Sequence, residues 1–351
     1  MKRLGLLIVL GVIFLAASSS IAYAQNRIAS RFGEAVVGNQ RVMVHVTVAV
    51  PPGLNGNDVA EDALRGQGAR PFQPAEFTTT GLVWDQFFNS NVGDDEVQQN
   101  YNNAGAPVGA LASITNSEDT WTEVNTAKAS FAALGTTNRC PSLVKECPGP
   151  QAFDGFNDIG WAAISGCCTL AITWSGTGID EADMAVNSRF QWTTSGGNGY
   201  DLETVLLHEN GHVWGLGHSP VSGAIMEATY AGVRRSLHVD DERGVTYLYP
   251  ESGATGSITG TVTGSSGSAI AGAKVTVPNF PNSATTDATG AYSLDGVPAI
   301  GSYSVTASAE GYSAATLDGV LVPASNVTFI LQSQSGGGGS CTPRGKGSNC
   351  K

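Results

Sequence analysis

The stretch Leu207-His208-Glu209-Asn210-Gly211-His212-Val213-Trp214-Gly215-Leu216-Gly217-His218 holds three of the chain's five histidines. On a helix, residues four apart share one face. His208 and His212 would therefore stack, with Glu209 beside them. Gly215 lets the chain leave the helix, and the turn can bring His218 back to the same point. Three neutral imidazoles supply three corners of a tetrahedron, which is how a catalytic zinc is held with one position left for water. A metal there lowers the pKa of that water to about 7, and Glu209 can accept its proton. The chemistry expected is metal-assisted hydrolysis, with His208, His212 and His218 as ligands of one Zn2+ and Glu209 as general base.

The motif needs a helix and a sheet to hold it. Asp201 reads as the cap of a helix starting at Leu202. Leu170, Ile172 and Trp174 alternate as one strand, and Ala182, Met184 and Val186 as another. Ser117 is expected to cap a helix in which Trp121, Val124, Lys128, Phe131 and Leu134 recur at helical spacing, with Gly135 as its stop. A closing helix runs from Asp240 or Asp241 to Tyr249, and Pro250 ends it. Further upstream, Val42, Val44, Val46, Val48 and Val50 alternate with Met43, His45, Thr47 and Ala49 as a strand. Pro51-Pro52-Gly53 stops that strand, and Asp58 to Gly66 reads as a short helix. His45 is taken here as a packed or exposed strand residue rather than a ligand.

Composition divides the chain further. Lys2 and Arg3, the uncharged run Leu4–Ala17 and Ala22-Tyr23-Ala24 form the charged, apolar and small-residue order of a secretory signal peptide spanning 1–24. Residues 25–75 form an N-terminal segment and a candidate pro-segment. Residues 76–250 carry the α/β patterning and the motif. After Pro250, Ser, Thr, Gly, Ala and Val dominate. The short runs Ile258/Gly260/Val262, Val275/Val277, Tyr303/Val305/Ala307 and Val327/Phe329/Leu331 predict a small β-sandwich over 251–334. A Ser/Gly linker and a Cys-bounded tail make up 335–351.

Export favours disulfides. The candidates are Cys140, Cys147, Cys167, Cys168, Cys341 and Cys350. The four central cysteines allow three pairings. Crossed bonds between the 140/147 loop and the 167/168 pair are expected, because a bond between neighbouring cysteines is strained. Cys341 and Cys350 are expected to close a small loop.

The extended histidine motif resembles that of the metzincin zinc peptidases, and within them the matrixin-like branch. The likeness spans about residues 76–250. It implies an α+β fold: a metzincin catalytic domain with a mixed twisted sheet and an active-site helix, followed by the all-β sandwich. It implies His208, His212 and His218 as zinc ligands, Glu209 as general base and Met226, in Gly223-Ala224-Ile225-Met226, as the Met-turn floor. Tyr230 matches a position in the wall of the pocket for the residue after the cut. Ile179–Val186 is the expected edge strand for an extended substrate. Asn210 and Glu227 depart from the family pattern, and they keep open a secreted binding or adhesion protein with an inactive metzincin-like domain. A zinc amidase acting on cell-wall peptides is a further alternative. No Cys lies in 25–139, so thiolate latency is unavailable, and a pro-segment would have to act through a carboxylate or plain occlusion. The segment Gly256–Leu331 resembles the carboxypeptidase regulatory-like, prealbumin-type module, which serves as a spacer or contacts a surface or substrate.

Charge bounds the partners. Lys and Arg number 18 against 30 Asp and Glu, a net charge of −12, which argues against a nucleic-acid partner. Protein or peptide substrates fit instead. No apolar run long enough to span a bilayer follows the N-terminus, so no stable membrane insertion is expected after signal cleavage. Asp94-Asp95-Glu96 and the Phe153–Asp158 loop could hold Ca2+, but neither shows a calcium-loop pattern and solvated acidic turns are expected.

Overall fold

The computed structural model describes residues 27–72, 84, 96–176 and 181–334. The signal-peptide segment, the Ser/Gly linker, and Cys341 and Cys350 lie outside the described residues, as do Asp94 and Asp95. Strands β1 (Ile28–Val37) and β2 (Gln40–Ala49) form a hairpin across Gly38-Asn39. Gly38 adopts φ 60°, which such a two-residue turn requires. Helix α1 (Gly56–Gly66) starts with the Asn55 side chain accepting from Asn57 N–H, and β3 (Arg70–Phe72) returns to pair with β1.

The central unit continues with β4 (Glu96–Val97), β5 (Gln99–Tyr101), α2 (Ala110–Thr122), β6 (Ser130–Phe131) and β7 (Gly135–Thr136). After these come β8 (Asn157–Ala162), β9 (Thr169–Gly176), β10 (Ala182–Asn187), β11 (Trp192–Thr193) and β12 (Tyr200–Asp201). Helix α3 (Leu202–Val213), β13 (Thr229–Tyr230) and α4 (Val239–Leu248) complete it. The main sheet runs β13-β1-β2-β9-β10-β8-β5-β7, with β3 attached to β1. The β5, β7, β8 and β10 pairings are parallel, and those of β9, β2, β1 and β13 antiparallel.

Two cores flank the sheet. Val42, Val44, Val46 and Val48 pack with Val59, Ala60 and Leu64 of α1 and with Ile164 and Trp174. Strand alternation then sends His45 and Thr47 to the opposite face, and both are also buried. On that other side, α2 and α3 pack together around Trp121, Leu206, Trp214 and Met226. The indole N–H groups of Trp121 and Trp84 donate to Leu207 O and Val213 O, pinning α3 at two carbonyls.

Three expectations are corrected. Ser117 does not cap a helix: α2 begins at Ala110, and the buried Ser117 hydroxyl donates to Ile114 O within it. The helix stops at Thr122, and Phe131 lies in β6. The described part of the expected edge, 181–186, is not free, because β10 is paired by β9 on one side and β8 on the other, while Ile179 and Asp180 lie outside the described residues. The central disulfides are local, Cys140–Cys147 and Cys167–Cys168, not crossed. Consecutive turns, Val144 N to Pro141 O and Cys147 N to Val144 O, fold the chain back so that the Cys140 and Cys147 Cα atoms lie 5.6 Å apart.

The sandwich comprises β14 (Thr255–Gly264), β15 (Lys274–Thr276), β16 (Ser283–Thr285), β17 (Ala291–Pro298), β18 (Ser302–Ser308), β19 (Tyr312–Ser313), β20 (Ala315–Leu321) and β21 (Phe329–Ser333). It has two four-stranded sheets, β17-β14-β21-β19 and β16-β15-β18-β20. Ile258, Val262, Val275, Leu294, Val305, Phe329 and Leu331 fill the space between them. The sandwich docks on α4, where the Arg243 guanidinium donates to Ile300 O and Ser302 O and lies 4.1 Å from the Tyr303 ring centroid. Among the described residues no helix is long and apolar enough to cross a membrane. Arg243→Ala removes the charge-assisted bonds of this joint. The expected cost is about 1–3 kcal/mol, read as a lower denaturant midpoint, and an unchanged midpoint would show the joint to be energetically idle.

Candidate metal centre and active site

Helix α3 begins where the Asp201 carboxylate accepts from Thr204 N–H, and Arg235 clamps the same carboxylate. It ends at Gly215, which takes φ 86°, a conformation that disfavours any residue with a Cβ. Leu216 N–H returns to Gly211 O, and His212 Nδ1 lies 2.8 Å from Leu216 O. The exit turn that carries His218 back is thus tied to the ring of His212 itself.

The imidazoles of His208, His212 and His218 converge, and a fourth joins them. The ligand atoms of His45, His208, His212 and His218 all lie within 4.8 Å of one another. His208 and His212 Nε2 are 3.0 Å apart, as are His45 and His218 Nε2. A carbonyl only accepts, so His208 Nδ1 against Ile225 O and His212 Nδ1 against Leu216 O must each carry the proton. His45 Nδ1 lies 3.0 Å from a Glu209 carboxylate oxygen and likewise donates. Three Nε2 atoms therefore face one another as lone pairs. Burial holds all four rings well towards the neutral form, and their mutual proximity adds to this for His45, His212 and His218. Neutral imidazoles fixed by Nδ1–H donors are the protonation state and orientation a metal ion needs. The donor set fits zinc.

His45 overturns the reading of that residue as a mere strand position. It lies opposite Thr173 of β9 and opposite Phe32 of β1. Phe32 packs on the rings of His45, His212 and His218 at 4.8–4.9 Å between centroids. Ser30 Oγ lies 2.9 Å from His218 Nε2. The signal that could have found His45 was its valine-flanked strand. A polar ring at the centre of an apolar strand is buried only with partners.

Glu209 is fully buried. Its Oε2 accepts from His45 and from the Thr173 hydroxyl, while Oε1 has no hydrogen-bond partner. An orphaned buried carboxylate oxygen beside converging imidazoles marks a place for a water or a metal.

Met226 lies under the helix. A Cβ built on Gly211 would meet Met226 Sδ at 2.2 Å and the Trp121 ring at 2.9 Å, so glycine is what lets the turn approach. Asp241 anchors that turn by accepting from Ile225, Met226 and His238 N–H. Burial nevertheless raises its pKa to about 6. Tyr230 lies in β13, paired with Ile28 of β1. Asn210 faces away from the imidazoles: it donates to Ser117 Oγ and approaches Gln99. Glu227 pairs with Arg234 and accepts from Gly223 N–H. Around the Phe153–Asp158 loop, Glu181 accepts from the N–H groups of Asp154 and Gly155, Asp183 from those of Leu143 and Asp158, and Asp158 pairs with Arg139. These carboxylates serve backbone amides and an arginine.

Residues 149–250 match the matrixin family model, and residues 257–332 match that of the carboxypeptidase regulatory-like domain. The segment 149–250 is matrixin-like. Similar curated proteins include karilysin of Tannerella forsythia, 47% identical over 58 residues, or 16% of this chain and 12% of that protein. Human matrix metalloproteinase-19 is 43% identical over 60 residues, with the same coverage of 16% and 12%. Metalloendoproteinase 2-MMP of Arabidopsis thaliana is 44% identical over 63 residues, 17% of this chain and 16% of that protein. The chain thus spans 12–16% of the length of these relatives. At family level the likeness is to zinc metalloendopeptidases.

Two outcomes follow for the matrixin-like unit. Gly211→Ala is expected to destabilise by about 1–3 kcal/mol through overpacking against Met226 and Trp121, visible as a lower unfolding midpoint. The raised pKa of Asp241 means that the folded chain binds its proton first. Its contribution is therefore fully present below the ordinary carboxylate range and is lost as pH rises through about 6. Relative to Asp241→Asn, the wild type should be more stable at pH 5 than at pH 8 by roughly 1–2 kcal/mol. Denaturant unfolding of both proteins at the two pH values checks this, because any constant cost of the substitution cancels.

Proposed function

We propose that the chain is a secreted zinc-dependent endopeptidase that hydrolyses internal peptide bonds of proteins. One observation carries the reading: the imidazoles of His208, His212 and His218 converge beside the orphaned carboxylate oxygen of Glu209. Export rests on the order of Lys2 and Arg3, the apolar run and Ala22-Tyr23-Ala24.

His208, His212 and His218 would hold zinc, which would supply Lewis acidity and bring a water's pKa near 7. The chain's own residues do the rest. The Nδ1–H groups of His208 and His212, donated to Ile225 O and Leu216 O, hold those rings in one tautomer and one orientation. Glu209 takes the proton of the attacking water and delivers it to the leaving amine nitrogen. Strand β9, which carries Thr173 beside Glu209, replaces Ile179–Val186 as the strand on which an extended peptide would pair, at the side that β2 now occupies and only once the β1–β2 hairpin has left it. The positions of Asn210 and Glu227 weigh against an inactive domain, since both brace the scaffold and neither faces the imidazoles.

Cleavage of an unfolded protein should be measured on the zinc-loaded chain after limited proteolysis of the segment 25–75, with Glu209→Ala alongside. The variant should keep about one zinc per chain and lose roughly a hundred- to ten-thousand-fold in rate. Equal rates for the two proteins would remove Glu209 as the base. Zinc in both with cleavage by neither would favour a binding protein.

A further inference from the structure

We propose that His45 is a fourth ligand of this metal centre and that the β1–β2 hairpin carrying it is a built-in latency device. The proposal rests on the endopeptidase reading and names its regulation.

Three blocks coincide in one element. The first is at the metal. A hydrolytic zinc keeps one position for water, whereas four protein ligands close the site. The Nδ1–H of His45 is committed to Glu209, so its Nε2 presents a lone pair, 3.0 Å from His218 Nε2. The second block is at the base. Glu209 Oε2, the oxygen that accepts from His45, is also taken by Thr173. The third block is at the backbone. Strand β2 pairs with β9 from Val42–Gly176 to Val48–Thr169, and β1 pairs with β13 at Ile28–Tyr230 and Ala29–Thr229. The hairpin thus sits between two strands of the matrixin-like unit and uses the main-chain groups of both. Ser30 N–H adds a bond to Ala228 O on the β13 side.

The side chains that point inwards suit a plug. Phe32 covers the rings of His45, His212 and His218. Ser30 Oγ reaches His218 Nε2 and Ala228 O. The hairpin's other face is anchored by valines against α1. One rigid movement of the hairpin would free the fourth metal position, withdraw the His45 bond from Glu209 and open both strand edges together. The cysteine-free segment carries no thiolate, and the ligand it supplies is an imidazole.

The test uses the full mature chain loaded with Co2+, whose visible spectrum reports coordination. Acetohydroxamate serves as a small metal-binding probe that needs no strand pairing. In the wild type the spectrum should be that of an all-nitrogen site and should ignore the probe. His45→Ala should change the spectrum and respond to acetohydroxamate, added imidazole should restore the wild-type spectrum, and zinc affinity should fall on the order of tenfold or more. His45→Asn gives a second variant if the alanine leaves an unfolded chain. An unchanged spectrum in folded variants, or equal response of the wild type to the probe, overturns the ligand assignment. Proteolysis of an unfolded protein is read separately. Equal rates for wild type and His45→Ala, both above zero, overturn latency. A spectral change with no cleavage, even after the segment 25–75 is removed, supports the fourth ligand and counts against the endopeptidase reading.

Discussion

Everything at the centre of this molecule depends on imidazole lone pairs that face one another without a proton between them. His208 and His212 have each given Nδ1–H to a backbone carbonyl, and His45 has given its own to a carboxylate. Buried and unprotonated, the Nε2 atoms gain nothing from one another. Such an arrangement is held open by the scaffold and becomes favourable only around a cation. The scaffold is correspondingly stiff. Two tryptophan N–H groups grip α3, Asp201 and Arg235 fix its start, and Asp241 ties two backbone amides of the turn beneath it to the His238 N–H at the start of α4.

That stiffness has a cost in buried polarity. Asp241 and Asp183 are carboxylates surrounded by amide donors, yet burial dominates and raises them to about 6 and about 7. Hydrogen bonds compensate desolvation only in part. The structure accepts this in the scaffold of the matrixin-like unit, whereas among the described residues the sandwich buries no carboxylate, and the Tyr292 and Tyr303 hydroxyls in its core donate to Val327 O and Pro298 O.

Much of this was legible in the chain. The period-two runs 170–174 and 182–186, the Asp201 cap and the closing helix near Asp240 are local signals, and local chemistry decided them. The three motif histidines lie on one helix and its exit turn, so spacing alone brings them together. The valine-flanked strand signals that His45 needs a partner, but not which one, because Glu209 is 164 residues away. Only strand register puts it there, and a shift by one residue would turn His45 into the valine core. The same reason hid the interior place of β10. Ser117 misled because a serine inside a helix can satisfy its hydroxyl at the preceding turn, and because the true start at Gly109 needs φ 86° rather than a side-chain cap. Strain between neighbouring cysteines argues for crossed bonds, but the turns that draw Cys140 to Cys147 pair those two locally, and no residue pattern announces them.

The contact between His45 and Glu209 links the two halves of the argument. A ligating imidazole commonly gives its other N–H to a carboxylate, which raises its basicity and fixes its ring. Here the carboxylate filling that supporting role is the one that the hydrolytic chemistry would need as a base. The two roles meet at Oε2: while His45 is held, its Nδ1–H occupies that oxygen beside the Thr173 hydroxyl, and once His45 leaves, it loses the partner that orients it. Closure of the metal and engagement of Glu209 Oε2 by His45 are therefore a single event. The hairpin needs no separate device for each, and the strand pairing to β9 and β13 supplies the binding energy that keeps both in place.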